Sequence, residues 1–271
     1  CRDVIMFHRD AGRLAPKTIR ELASLMTTLF KSAYIDEVIA SNPSVYENGV
    51  LPKKVDKDPT WRVQAIYTRD EIVSLLSDDR IPQDRRILYA LKFFAGRHTE
   101  VAVLTWREYD ATAKPLGALN LGETKSGVPR RIPVHPVLAK LLAEWKLSGW
   151  EDLYGERPKM HHMIVPTRNL TQRRADEAQK QLAADLKRLG LRVEAGKKRR
   201  RRGHDLRRTF ITLARSDGAV KDTLRLVTHG PQAADMMDVY TSMDWPTLCA
   251  EVSKLRLELP AGDLVQLKES A

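Results

Sequence analysis

The residues best suited to chemistry are a histidine and an arginine in GHDLRRTFITLARSDG, residues 203–218. His204 and Arg207 are three positions apart, so on a helix their side chains point the same way and can reach one anion. Apolar residues at helical spacing predict that the pair begins an amphipathic helix, where free N–H groups and the helix dipole favour a phosphate. Taken alone, the pair fits a solvated basic helix start better than a binding site.

Five further side chains along the chain could belong to a site for the same anion. FFAGRHTEVAVLTW places Arg97 and Glu100 three apart at a helix start, and ETKSGVPRRIPV places Lys125 at the tip of a hairpin. His229 occurs in THG, and Tyr240, in DVYTSMDW, is the last tyrosine of the chain. Arginine can hydrogen-bond two phosphate oxygens at once and stays charged. Histidine and lysine can transfer protons, and tyrosine can act as a nucleophile. These residue types together suit chemistry at a phosphodiester.

The charge of the chain points to the same partner. A formal net charge of +11 favours nucleic acid, with plain solubility as the alternative. Much of the charge comes from six consecutive cations: Lys197, Lys198, Arg199, Arg200, Arg201 and Arg202. Their position directly before the His204 helix predicts contacts with the DNA backbone, which add affinity without sequence choice. A nuclear-localisation-like tract and a disordered loop are the alternatives.

Several other classes of site are not supported. Cys1 and Cys249 stand at opposite ends of the chain and build neither a disulfide framework nor a thiolate metal site. His161 and His162 lack a third ligand at helical spacing, so a surface loop is expected there. The apolar runs are too short to span a bilayer, and residues 1–20 contain no signal peptide. We expect a cytoplasmic protein without metal or cofactor, and a fragment whose natural N-terminus lies upstream.

The elements that must position these residues are mostly helical. Residues 15–36 have apolar residues at helical spacing, and Pro43 stops any helix that would continue. Residues 43–62 contain three prolines and no periodicity, which predicts an interdomain linker. A second domain then opens with TRDEIVSLL, where Thr68 and Glu71 match a capping box.

One stretch of this second domain differs from the rest. Residues 106–135 alternate short β-compatible runs with Lys-Pro-Leu-Gly and Lys-Ser-Gly turns, which predicts a small antiparallel sheet of about three strands. Helices are predicted over 83–95, 136–148, 171–189, 204–217, 220–228, 231–240 and 246–257. The predicted fold class is mainly α with a small antiparallel β-sheet (α+β).

The order of the motifs resembles the catalytic set of the tyrosine recombinases, the phage-integrase type. That order is Arg-x-x-Glu, a lysine in a β-turn, His-x-Leu-Arg, a His-Gly box and a tyrosine, and the resemblance covers roughly residues 15–257, including an Asn-Pro at the end of the first helical part. The chain departs from the family in three places. Arg208 replaces a usual histidine, the interval from His229 to Tyr240 is longer, and residues 155–200 are longer and more basic.

The resemblance implies how a phosphate would be held. Arg97 and Arg207 would bind the two non-bridging oxygens, because an attacked phosphodiester gains negative charge there. His204 and His229 would hydrogen-bond the same oxygens, with His204 also assisting deprotonation of the nucleophile. Glu100 would support the site by orienting Arg97 or a histidine.

The resemblance also implies the covalent step. Tyr240 would attack the phosphorus and form a 3′-phosphotyrosine link, which conserves bond energy for rejoining. Lys125 would deliver a proton to the departing 5′ oxygen. The alternatives are an ordinary half-buried tyrosine for Tyr240 and a solvated hairpin lysine for Lys125, because Lys114 and Arg130 lie in the same predicted sheet.

The resulting scheme has a partial helical core-binding domain (1–43), a linker (44–62), a catalytic domain (63–257) and a C-terminal tail (258–271). The family implies a clamp around double-stranded DNA and four protomers on two sites, with the tail packing on a neighbouring protomer. The predicted function is a site-specific recombinase or integrase in a bacterial or phage context. A type IB topoisomerase and a catalytically inactive DNA-binding relative are the alternatives.

Overall fold

The structure, a computed structural model, describes residues 1–53, 60–94, 96–122, 129–196, 199–230 and 243–260. Predicted features outside these ranges are Lys125, Lys197, Lys198, Tyr240, the helix 231–240 and most of the tail 258–271. The chain folds into two units, Cys1–Pro59 and Thr60–Ala271. Their assignment to a core-binding fragment and a catalytic domain stays a prediction.

Within its described residues, 1–53, the first unit has two helices, α1 (Arg2–Asp10) and α2 (Pro16–Ile35). α2 confirms the helix predicted over 15–36 and has proline in its first turn, where the missing N–H is not needed. α1 has no counterpart among the predicted helices. The small apolar core of the unit contains Ile5, Ile19, Ala23 and Val50. Because Val50 belongs to the predicted linker, the first part of that segment contributes to this core.

The second unit is a helical body with one small sheet. Its helices are α3 (Trp61–Gln64), α4 (Arg69–Ser77), α5 (Gln83–Phe94), α6 (His98–Val101), α7 (Pro136–Glu144), α8 (Trp150–Tyr154), α9 (Ala175–Arg188), α10 (Gly203–Ser216), α11 (Lys221–His229) and α12 (Trp245–Ser253). Strands β1 (Tyr109–Asp110), β2 (Ala118–Leu121) and β3 (Arg130–Pro133) form an antiparallel sheet in that order. The predicted α+β class is confirmed. No helix in the described part of the chain has the length and apolarity needed to cross a membrane.

Local sequence signals explain several helix ends. Thr68 accepts a hydrogen bond from the Glu71 amide at 3.2 Å, and the Glu71 carboxylate accepts one from the Thr68 amide at 2.8 Å, so the predicted capping box begins α4. Gly218 follows α10 with φ of 96°, a left-handed conformation that glycine adopts without strain. The helix predicted to end at 148 instead passes through a π-helical turn (Trp145–Gly149) into α8.

The packing of α5 against α10 positions the candidate site. Residues 87–94 of α5 are all buried. The Phe210 ring of α10 makes edge contacts with the rings of Phe93 and Phe94, at centroid distances of 5.7 and 6.0 Å. Each buried phenylalanine contributes roughly 2 kcal/mol of transfer free energy. Because α6 begins shortly after α5 ends, this contact sets the first turns of α10 beside α6.

Candidate functional site

The N-terminal turn of α10 carries two of the predicted site residues. The Asp205 carboxylate accepts a hydrogen bond from the Arg202 amide at 2.8 Å and closes the first turn. The apolar stripe of the helix faces the core, and Arg207 is carried inward, where only 2% of it is exposed. His204 stays exposed at the surface. The two residues therefore share a helix end but differ sharply in their access to water.

Glu100, from α6, is the centre of the site. It is 2% exposed, and its carboxylate accepts hydrogen bonds from the Arg97 amide (2.7 Å) and from Nη1 of Arg97 (2.9 Å). Arg130 of β3 binds it end-on with both terminal nitrogens, at 3.0 and 2.8 Å. Nη1 of Arg207 lies 3.4 Å from the same carboxylate. One acidic group thus holds three guanidinium groups from three different elements.

Two glycines leave the space that this arrangement needs. A Cβ at Gly96 would lie 2.5 Å from a carboxylate oxygen of Glu100. At Gly203, the first residue of α10, a Cβ would collide with the ammonium group of the buried Lys92. A side chain at Gly96 would therefore displace the Glu100 carboxylate, and one at Gly203 would force the Lys92 side chain to move.

Arg207 has two N–H groups aimed at a missing partner. Its Nε and Nη2 atoms are buried and find no hydrogen-bond acceptor in the described part of the chain. These two nitrogens form one edge of the guanidinium group, the edge that binds two oxygens of a carboxylate or phosphate side by side. A buried donor without an acceptor costs about 1–3 kcal/mol. An anion with two oxygens side by side would satisfy both donors.

The site has a surplus of positive charge. Three guanidinium groups surround the single carboxylate of Glu100. Burial would raise the pKa of Glu100, but hydrogen bonds from Arg130 and the Arg97 amide, with the charges of Arg130 and Arg207, lower the pKa below its usual value. Burial, aided by the charge of Arg130, lowers the pKa of Arg207 to about 10. Glu100 and Arg207 are thus both ionised near neutral pH, and an anion would balance the excess charge of the site.

The two histidines are neutral near pH 7. Partial burial, and then the charges of Arg207 and Arg97, lower the pKa of His229 to about 4. Partial burial and the charge of Arg207 likewise lower the pKa of His204. The Thr228 hydroxyl donates to the Leu224 carbonyl at 2.8 Å and lies 2.9 Å from Nδ1 of His229. With the hydroxyl proton on the Leu224 carbonyl, the hydroxyl oxygen accepts from Nδ1–H in the tautomer that leaves Nε2 as the proton acceptor.

A groove joins these groups on the surface of the second unit. Its volume is about 730 Å³, and His204, Arg207 and His229 are among the residues that line it. The remaining lining residues come from the start of the unit and the outer face of α10: Arg62, Val63, Ile66, Tyr67, Thr68, Arg208, Ile211 and Thr212. This lining combines charged and apolar side chains. It therefore matches a ligand that alternates charged and apolar parts, such as a nucleotide strand.

The structure thus brings together Arg97, Glu100 and Arg207 by direct contact, and His204 and His229 through the shared groove. Lys125, Tyr240, Lys197 and Lys198 lie outside the described residues, so their roles stay predictions. Among the described histidine, cysteine and acidic residues, no group of three is arranged to hold a metal ion. In the loop after α8, the His162 ring stacks on Trp150 at 4.9 Å.

The basic run does not act as one surface. Arg199, Arg200 and Arg202 are exposed, but Arg201 is only 1% exposed. Arg201 donates to the Glu71 carboxylate (2.7 Å) and the Ile66 carbonyl (2.9 Å), and its guanidinium lies over the Tyr67 ring. The Arg201 donors thus face the protein interior, and its contact with the DNA backbone stays a prediction. Through these contacts, Arg201 connects the segment before α10 to the start of α4.

Arg130 is the site residue that the sequence analysis missed as a functional group. It is 8% exposed and binds Glu100 through both terminal nitrogens, while its Nε has no partner in the described part of the chain. One signal was available. Arg130 and Ile132 are two apart on β3 and therefore face the same side of the sheet, and Ile132 is buried. An arginine on an inward face requires an anionic partner.

No protein-family model matches the chain, and no curated protein matches it. Solved structures do. The integrase of the Tn1549 transposon in complex with circular intermediate DNA is 17% identical, with a TM-score of 0.60, over 93% of this chain and 83% of that one. A lambda integrase dimer bound to a COC′ core site is 14% identical, with a TM-score of 0.59, over 89% of this chain and 79% of that one.

A third solved structure is the XerH site-specific recombinase bound to its difH substrate. It is 18% identical, with a TM-score of 0.56, and the match covers 87% of this chain and 65% of that one. At these identities the likeness shows the fold. The chain therefore has the fold of the tyrosine recombinases, and the predicted fold assignment is confirmed.

Proposed function

We propose that this protein is a site-specific DNA recombinase or integrase that cuts and rejoins strands through a 3′-phosphotyrosine link. The fold is that of enzymes solved on DNA, and the net charge of +11 suits a polyanion. The partner is double-stranded DNA, and four protomers act on two paired sites. The setting is the nucleoid of a bacterial cell or of a cell infected by a phage.

One observation carries this proposal. Arg207 is almost completely buried, yet its Nε–Nη2 edge has no acceptor among the described residues. Arg97 and Arg130 add positive charge at the same carboxylate, so the edge faces a site with an uncompensated charge. A phosphodiester supplies both features that are missing, two oxygens side by side and one negative charge.

The residues perform the reaction as follows. The Tyr240 oxygen attacks the phosphorus and its proton passes to His204, whose depressed pKa keeps it unprotonated and able to accept. The bond between phosphorus and the 5′ oxygen breaks, and Lys125 protonates that oxygen. Arg97 and Arg207 stabilise the charge that builds on the non-bridging oxygens. A 5′ hydroxyl from another strand then reverses the steps and releases Tyr240.

His229 changes its protonation state when the phosphate binds. In the free protein its Nε2 carries a lone pair, which repels a phosphate oxygen instead of donating to it. Partial burial, and then the charge of the neighbouring arginines, hold the pKa of His229 near 4 in the free protein, and a bound phosphate cancels the arginine charge. His229 then takes up a proton and donates it as a hydrogen bond to the phosphoryl oxygen.

A trapping experiment tests the proposal. The protein is incubated with a pool of random-sequence duplexes, each nicked so that a short 5′-hydroxyl fragment diffuses away after cleavage and prevents rejoining. We expect a covalent protein–DNA band on a denaturing gel, with the protein on the 3′ end of the cut strand, and sequencing of the trapped strands gives the recognition site.

The same experiment separates the alternatives. Absence of an adduct while the protein binds duplex DNA would identify a DNA-binding relative without catalysis. Relaxation of supercoiled plasmids that lack the recovered site would instead favour a type IB topoisomerase. A link to the 5′ end would contradict the proposed chemistry directly.

Arg130 is a positioning residue in this scheme. We expect Arg130→Gln to slow adduct formation by about 10–100-fold, the usual effect of losing a group that orients a catalytic side chain. The charge of Arg130 also lowers the pKa of His229. Removing this positive charge favours the imidazolium form, so the His229 pKa must rise in the variant. NMR titration of the histidine measures the shift.

Arg107→Gln is the matched control, since Arg107 is exposed, lies near the same sheet and loses the same charge. It should change neither the rate nor the His229 pKa. A loss of rate in Arg130→Gln without a rise of the His229 pKa would place Arg130 outside the site's electrostatic network.

A further inference from the structure

A cluster of cations surrounds Trp61 at the start of α3. The guanidinium carbons of Arg199 and Arg208 lie 4.3 and 4.7 Å from the centroid of the indole, and that of Arg62 lies 5.2 Å away. An indole attracts a cation over its ring, by about 0.5–1 kcal/mol at exposed sites. Three such contacts at one ring hold like charges close together, a costly arrangement unless an anion joins them.

Arg199 and Arg208 have little compensating negative charge among the described residues. Arg208 donates to the Asp205 carboxylate at 3.2 Å, but Asp205 also serves as the cap of α10. Arg199 is exposed and forms no ion pair with a described residue. This pair of arginines therefore keeps a net positive charge.

The cluster shares Arg208 with the groove that contains the candidate phosphate site. Arg208 follows Arg207 directly in α10 and lines the same groove as His204 and His229. The lining also includes the apolar side chains of Val63, Ile66 and Ile211. A groove that combines cationic groups with apolar side chains matches the phosphates and sugars of one strand.

We propose that Trp61, Arg199 and Arg208, the Trp61 cluster, bind a phosphodiester next to the one that is cut, on the same strand. The inference rests on the proposed function for the identity of the strand. The indole holds both guanidinium groups in place before DNA arrives, so less side-chain entropy is lost on binding. Because these groups lie over the ring, the indole is not available to stack a base. The cluster adds affinity and register without reading sequence.

A phosphate scan tests the proposal. The recognition duplex is chosen by binding selection with the Tyr240→Phe protein, so that the choice does not depend on cleavage. A set of duplexes then carries one uncharged methylphosphonate each, at every position in turn. At one position, we expect the methylphosphonate to reduce the affinity of the Tyr240→Phe protein. At that same position it should cause no further loss of affinity in a protein that carries both Tyr240→Phe and Arg208→Gln. Arg208→Gln should further reduce the slope of log K against log salt by about one.

Companion variants keep the result interpretable. Arg199→Gln should likewise remove the sensitivity to a methylphosphonate at the same phosphate. Trp61→Phe keeps an aromatic face and should preserve the coupling between Arg208 and that phosphate, whereas Trp61→Leu should weaken this coupling. Arg215→Gln is the matched control, because Arg215 is an exposed arginine on the same helix. It should leave the sensitivity to every methylphosphonate unchanged.

The outcomes distinguish this inference from the proposed function. Coupling at the phosphate adjacent to the cut, as mapped from the covalent adduct, supports it. Coupling to no single phosphate, or to one remote from the cut, overturns it even when the wild-type protein forms the adduct. If the wild-type protein forms no adduct, the proposed function fails, and coupling to one phosphate still decides whether the cluster binds the DNA backbone.

Discussion

Arg207→Ala is expected to slow formation of the covalent protein–DNA adduct by at least about a thousandfold, because it removes two buried donors from the phosphate site and one such donor is worth about 10²–10³ in rate. Affinity for duplex DNA should change little, since one contact among many phosphates is lost. The fold should persist, because Glu100 keeps its hydrogen bonds to Arg97 and Arg130. Single-turnover trapping at saturating DNA measures the rate.

Arg215→Ala is the control, a loss of the same charge from the exposed face of the same helix. It should react at the wild-type rate. If the affinity of Arg207→Ala for DNA fell together with its rate, Arg207 would be a binding or structural residue. The unpaired Nε–Nη2 edge of Arg207 would then no longer support the proposed function.

Tyr240→Phe should abolish the adduct completely, because phenylalanine has no oxygen to attack the phosphorus. Duplex binding should remain, since the lost hydroxyl makes its bond only during the reaction. Digestion of the wild-type adduct and mass spectrometry of the peptides should place the nucleotide on Tyr240. These two measurements together separate a lost nucleophile from a lost fold.

Other tyrosines are poor substitutes for the nucleophile. Burial, and then a hydrogen bond to Asp185, raise the pKa of Tyr89, and the Tyr89 hydroxyl donates to that carboxylate at 2.7 Å. Burial also raises the pKa of Tyr67. Tyr109, half-buried on β1, is the matched control, and Tyr109→Phe should form the adduct normally. An adduct formed equally well by Tyr240→Phe would contradict the assignment of the nucleophile.

Signals confined to a few neighbouring residues predicted the local structure well. The reciprocal bonds of Thr68 and Glu71 begin α4 as expected, and Gly218 follows α10. The spacing of Arg97 and Glu100 also anticipated their contact, because residues three apart meet within one helical turn. Each of these features depends on backbone geometry that a short segment adopts by itself.

Contacts between distant segments were not predictable in this way. The bidentate partner of Glu100 is Arg130, thirty positions away, and its third guanidinium comes from Arg207, 107 positions away. Arg201 and Arg199 look alike in the sequence, yet one is buried under Glu71 and the other lies over Trp61 at the surface. Nothing in a run of identical cations distinguishes them until the surrounding elements pack.

The sequence by itself determined the types of the reactive residues, their order and the helix ends that carry them, because these depend on covalent connectivity and on backbone hydrogen bonds within one turn. Tertiary structure decided the charge balance. Desolvation and charges on separate elements decide which arginine is buried, which edge of Arg207 lacks a partner and why His229 is neutral. Those effects exist only after α5 and α10 have packed and excluded water.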